Sequence, residues 1–132
     1  MAREEYLFKL SVLEQEIMKL EQQMQVIQQQ VLELQTLKLG LEELKKSKEK
    51  QMLANLGKNI FIKTEIQDKK LLVDIGNKTF IKKDIAETLK VVDEQLDKLI
   101  KAKGEVVNKM REIQMQTEQV ILEAEKSEKE KK

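Results

Sequence analysis

The chain has 132 residues, 37% of them charged and 3% aromatic, and contains no proline, cysteine, histidine or tryptophan. That balance belongs to long charged helices and leaves little material for a thick core. Lys plus Arg (25) nearly cancels Asp plus Glu (24), so no global field would hold nucleic acid or an anionic membrane, and without Cys or His neither a disulfide framework nor the usual zinc ligand sets can be assembled.

The N-terminal MAREEYLFKL carries two glutamates and no uninterrupted apolar stretch of signal-peptide length. Nowhere do about 18 apolar residues run together, as a spanning helix requires. A soluble protein of the cytoplasm is expected.

From Tyr6 the apolar residues fall at Leu10, Leu13, Ile17, Leu20, Met24, Ile27, Val31 and Leu34, in strict alternation of four and three. This is the seam of a heptad helix, placed over residues 1–50. After Leu34 the next apolar positions are Leu37, Leu41 and Leu44, and the step of three from Leu34 to Leu37 directly follows that from Val31 to Leu34, two successive steps of three that read as a stammer. Gly40 in the same stretch marks the weakest part of the helix. Lys45, Lys46, Lys48 and Lys50 complement its C-terminal dipole.

Residues 51–83 lose the helical period and gain a period of two. Ile60, Ile62, Thr64 and Ile66 alternate with Phe61, Lys63 and Glu65, and Leu71, Val73 and Ile75 alternate with Leu72 and Asp74. Turn residues set the boundaries of four short strands near 52–55, 59–66, 70–75 and 79–83. "MLANLGKNIFIK" and "LLVDIGNKTFIK" both read strand, glycine turn, strand, so each is one β-hairpin with Gly57 or Gly76 at a turn that needs positive φ.

A second heptad helix, 84–132, runs through Ile85, Leu89, Val92, Leu96, Leu99, Lys103, Val106, Met110, Ile113, Thr117, Val120 and Ala124. Lys103 and Thr117 either fix the register of pairing or mark a coil that loosens toward its free end. Asp84 and Glu87 form a capping signature at its start, and the segment from Lys126 reads as a frayed tail.

The fold expected is mainly α with a small β insert: one domain over 1–132, an antiparallel two-helix coiled coil joined by two β-hairpins. Paired residues should have numbers that sum to roughly 134, since the chain reverses near Gln67. Isolated hairpins are marginal in water and leave unpaired edges, so other subunits are expected to close them into a β-barrel platform. Candidates for that packing are Leu53, Gly57, Ile60, Phe61 and Ile62 in the first hairpin, with Leu72, Val73, Gly76, Phe80 and Ile81 in the second.

Two heptad arms around a double hairpin, with "NLG" before "IFIKTEI" and "DIG" before "TFIKKDI", resemble the alpha-class subunits of prefoldin over essentially the whole chain. The beta-class subunits of that family have a single hairpin. The resemblance implies an archaeal-type, ATP-independent chaperone subunit that joins beta-class subunits in a heterohexamer, holds unfolded client proteins at its coil tips and passes them to a group II chaperonin. It equally implies the self-assembling, filament-forming alpha-like lineage, in which the partners are copies of the chain itself.

Near the coil tip, Leu7, Phe8 and Val12 on the first helix and Met115, Ile121 and Leu122 on the second lie off the seam. Surplus apolar groups on a thin coil mark a client-binding surface when they cluster. No catalytic residue, cofactor or metal is expected. A two-helix arm offers no concave polar site, and the glycines, isolated at 40, 57, 76 and 104, form no phosphate loop. A purely structural scaffold and an adaptor for one folded partner are the competing classes.

Overall fold

The structure is a computed structural model, and it describes residues 3–130. The order of elements is α1 (Arg3–Lys46), β1 (Gln51–Gly57), β2 (Ile60–Glu65), β3 (Leu71–Gly76), β4 (Thr79–Lys83) and α2 (Ile85–Glu130). Two long helices enclosing two antiparallel hairpins is the expected fold. The chain divides into a coil unit, running up to Leu32 and resuming at Asp97, and a hairpin unit spanning Glu33–Leu96.

In the coil unit the core is a single file of seam residues. Leu20, Val106 and Ile113 are buried, with Leu13, Ile17, Met24, Ile27 and Met110 packed against them. Leu20 and Ile113 line one groove, while Ile27 and Val106 line another. Numbers rising on α1 meet numbers falling on α2, so the pairing is antiparallel and within about a residue of the expected register.

The stammer after Leu34 is not present. Burial continues the alternation of four and three through Lys38 to Leu41, while Leu37 is exposed. Counting apolar letters alone missed Lys38, whose aliphatic stem is able to line a seam while its charge reaches outward. Its Nζ lies 2.7 Å from Asp93 Oδ1. Gly40 faces solvent, and α1 passes through it unbroken.

On α2, Lys103 leaves the seam: it is exposed, and Ala102 takes the half-buried place. Thr117 stays half-buried, but its Oγ1 donates to the Ile113 carbonyl of its own helix at 2.8 Å. Its hydroxyl is thus satisfied without a bond to α1. The helix also continues through the expected tail as far as Glu130.

In the hairpin unit, β1 pairs with β2 and β3 with β4 as two separate two-stranded sheets. Both turns share one construction. The central residues are Lys58 and Asn59 in the first, Asn77 and Lys78 in the second, all with φ between 48° and 63°. Positive φ at both centres is the mirror-image turn whose twist suits a two-residue hairpin. The glycines therefore sit one residue before the expected turn centre, at a register shift where φ is +119° for Gly57 and +105° for Gly76. A bulge takes an amide off the ladder. Asn55 Oδ1 accepts the Gly57 N–H and Asp74 Oδ1 accepts the Gly76 N–H, each at 2.8 Å.

The segment between the hairpins binds both helix ends. Ile66 N–H donates to the Lys50 carbonyl, and Lys69 Nζ donates to the Ser47 carbonyl just beyond α1. Lys70 Nζ pairs with Asp84 Oδ1 at 3.3 Å, immediately before α2. The Asp84 carbonyl accepts both the amide and the hydroxyl of Thr88, so the first turn of α2 is closed from its predicted cap.

Candidate functional site

Two surfaces carry the candidate residues. On the hairpins, strand alternation sorts side chains into two faces. Phe61 stands opposite Asn55 and Phe80 opposite Asp74, the residues whose side chains close the two bulges. Leu53 and Leu72 share that face, one ladder step away. All four are more than half exposed. The other face pairs Ala54 with Ile62 and Val73 with Ile81. Here Ile60 and Ile62 are exposed, whereas Val73 and Ile81 are half-buried. Gly57 and Gly76 are exposed at the bulges. The ten predicted positions thus fall on both faces of both hairpins, and among the described residues no strand residue is buried.

On the coil unit, lettering the seam positions a and d sorts the surface. In an antiparallel pair the g positions of both helices meet along one flank and the e positions along the other. The g flank is grooved. Phe8, Val12, Leu13 and Val120 make the apolar lining of a groove of about 450 Å³, with Lys9, Gln116, Gln119 and Glu123 around them. Further grooves of about 410 and 560 Å³ follow it, sharing Gln116 and then Lys19, Gln23 and Lys109. Together they form a furrow that reaches Val26 on α1 and Ala102 on α2, roughly 27 Å of helix at 1.5 Å per residue.

The six predicted tip residues do not form one patch. Phe8 and Val12 belong to the furrow. Leu7 and Ile121 occupy e positions on the opposite flank, and Met115 and Leu122 occupy f positions on the outer face of α2. All six are exposed, with Phe8 at 71% and Met115 at 69% the most open. Off-seam counting missed Gln116 and Gln119, whose amides give the apolar end of the furrow hydrogen-bonding partners; g and c heptad letters would have found them.

No polar or charged side chain is buried among the described residues, and none of them form a cluster of three or more potential metal ligands. The described helices include none long and apolar enough to cross a membrane.

Residues 13–130 match the family model described as prefoldin subunit. Among solved structures, the chain is similar to the filamentous PFD of Methanocaldococcus jannaschii determined by cryo-EM. Identity is 20%, covering 91% of this chain and 95% of that one, with a TM-score of 0.48. No curated protein matches the sequence.

Proposed function

The chain belongs to the prefoldin family, whose members are chaperones rather than enzymes, and from that premise we propose that it is an alpha-class, ATP-independent holdase subunit. Its hairpins join it to beta-class subunits, its coil end holds unfolded chains, and a group II chaperonin receives them. The observation that carries this reading is the state of the strands: Leu53, Phe61, Leu72 and Phe80 lie exposed on hairpins in which no strand residue is buried. At about 25 cal/mol per Å² of apolar surface, leaving four large side chains in water forfeits several kcal/mol that a neighbouring subunit would recover. The double hairpin supports the alpha class over the single-hairpin beta class.

For client capture, the apolar end of the furrow supports Phe8 and Val12 as the contact residues, with Val120 beneath them. An open groove with apolar walls and amide rims accepts varied unfolded segments without demanding one sequence.

Native mass spectrometry of the chain alone and mixed with a beta-class subunit tests the assembly. A defined heterohexamer is expected; a folded monomer that stays apart from the beta subunit at micromolar concentration would overturn it. For holding, Phe8→Ser with Val12→Ser should leave that mass unchanged and weaken suppression of a denatured enzyme's aggregation without ATP. Suppression equal to wild type would remove these residues from the site.

A further inference from the structure

The e flank of the coil unit differs from the furrow flank in kind. Its apolar residues are Leu7, Met18, Leu32, Ile100 and Ile121, all exposed, with Val107 half-buried among them. Carboxylates flank most of them at helical spacing. Met18 lies between Glu14 and Glu21, Ile121 between Glu118 and Glu125, and Ile100 follows Asp97 by three residues. Residues three and four apart on a helix are surface neighbours, about 5–6 Å between Cβ atoms. Leu7, with Glu4 three residues before it, Met18, Ile100 and Ile121 therefore each have an acid within one turn, whereas Leu32 has only uncharged polar neighbours at that spacing and Val107 has Lys103 and Arg111. Arg111 is the only base at the e and b positions of this unit among the described residues. The furrow flank, by contrast, mixes Lys9, Lys19 and Lys109 with Glu16, Glu112 and Glu123.

We propose that this acidic, apolar flank is a docking surface for a cationic amphipathic polypeptide segment, one whose Lys or Arg side chains alternate with apolar ones. Charge selects the occupant. A second copy presenting the same flank would bring like charges together, and nucleic acid is repelled outright. A basic amphipathic segment places its apolar groups on Met18, Ile100 and Ile121 while its cations meet the bracketing carboxylates. Exposed ion pairs are each worth at most about 1 kcal/mol and are screened by salt, so the contact is selective through repetition and weakens as ionic strength rises. The surface is separate from the Phe8 and Val12 groove, and its charge preference does not depend on the holdase reading.

The test uses the full chain and two labelled helical peptides of equal leucine content, one with lysine and one with glutamate at every polar position, followed by fluorescence anisotropy. The lysine peptide should bind at least tenfold more tightly than the glutamate peptide at 50 mM salt and lose most of that advantage at 500 mM. A charge-reversed protein (Glu14→Lys, Glu21→Lys, Glu118→Lys and Glu125→Lys) should invert the preference. Reversing the same number of acids on the furrow flank (Glu5→Lys, Glu16→Lys, Glu105→Lys and Glu112→Lys) controls for net charge and should preserve the lysine peptide's lead. Glutamine at the first four positions should reduce that lead without inverting it, and serves if the lysine set fails to fold by circular dichroism. Equal binding of the two peptides, or equal effects of reversal on either flank, would overturn the proposal.

Discussion

The helices and the strands of this chain dispose of apolar side chains in opposite ways. Every buried apolar residue among those described, from Tyr6 to Ile113, lies on α1 or α2, in a seam that each helix completes for the other. The hairpins carry side chains of the same kind, Leu53, Phe61, Leu72 and Phe80, and leave them more than half exposed. Hydrogen bonding follows the same contrast: both bulges are closed by their own Asx side chains, but in two separate two-stranded sheets every strand keeps one edge outside the ladder. Backbone and apolar groups are thus satisfied internally in the helices, while the hairpins leave both their edges and their large side chains open, for another chain to cover in the proposed assembly.

The sharpest way to break that contrast is at the phenylalanines. Phe61→Ser with Phe80→Ser should abolish assembly in sedimentation at micromolar concentration while helical circular dichroism persists; assembly that survives would place the interface elsewhere. Next in size, Leu20→Ala or Ile113→Ala should lower the unfolding free energy by about 2–4 kcal/mol in chemical denaturation. Leu53→Ala, made in the assembly-deficient background, should change it by less than about 0.5 kcal/mol.

Smaller again is the effect expected at the bulges. A Cβ added at Gly57 or Gly76 meets nothing within 4 Å, yet the backbone there holds a φ that side chains rarely adopt. Gly57→Ala or Gly76→Ala should therefore cost about 1–3 kcal/mol through strain alone, read as faster hydrogen exchange at Ile62 or Ile81. Smallest is Thr117→Val, expected within about 0.5 kcal/mol, because its hydroxyl serves only its own helix. A loss above about 1.5 kcal/mol would give Thr117 back its role in choosing register.

The same contrast explains what could be read from the letters. Heptads and hairpins were legible because the seam imposes period 3.5 on one segment and the two faces of a pleated strand impose period two on the other. Lys38 was not, since a lysine can fill a seam with its stem and only its surroundings show whether it does. At Lys103 the reverse holds, and Ala102 is small enough to pass unnoticed beside it. Glycine marks the turn regions in the sequence, but two-residue loops centred on Lys58–Asn59 and Asn77–Lys78 depend on a lysine accepting positive φ, which residue preference argues against. The spacing of Asn55 and Asp74 two residues before glycine was the available clue to the bulges. For the coil surface, being off the seam identified exposed residues correctly yet treated all sides as one. Leu7 takes the e flank, while its sequence neighbour Phe8, an f position by letter, lines the furrow on the other side, which only the groove itself reveals.

The likeness of the two hairpins has a further consequence. If the hairpins join subunits as proposed, their matching bulges, turns and phenylalanines give one chain two nearly equivalent connectors, and in the vocabulary of polymer chemistry it is then a bifunctional monomer. A monomer of functionality two closes into rings or grows without limit according to the supply of chain stoppers. In the proposed assembly, single-hairpin partners would be such stoppers. The size of the final particle would then be set by mixing ratio as much as by any contact within it, and a cell could tune it through the relative synthesis of two chains.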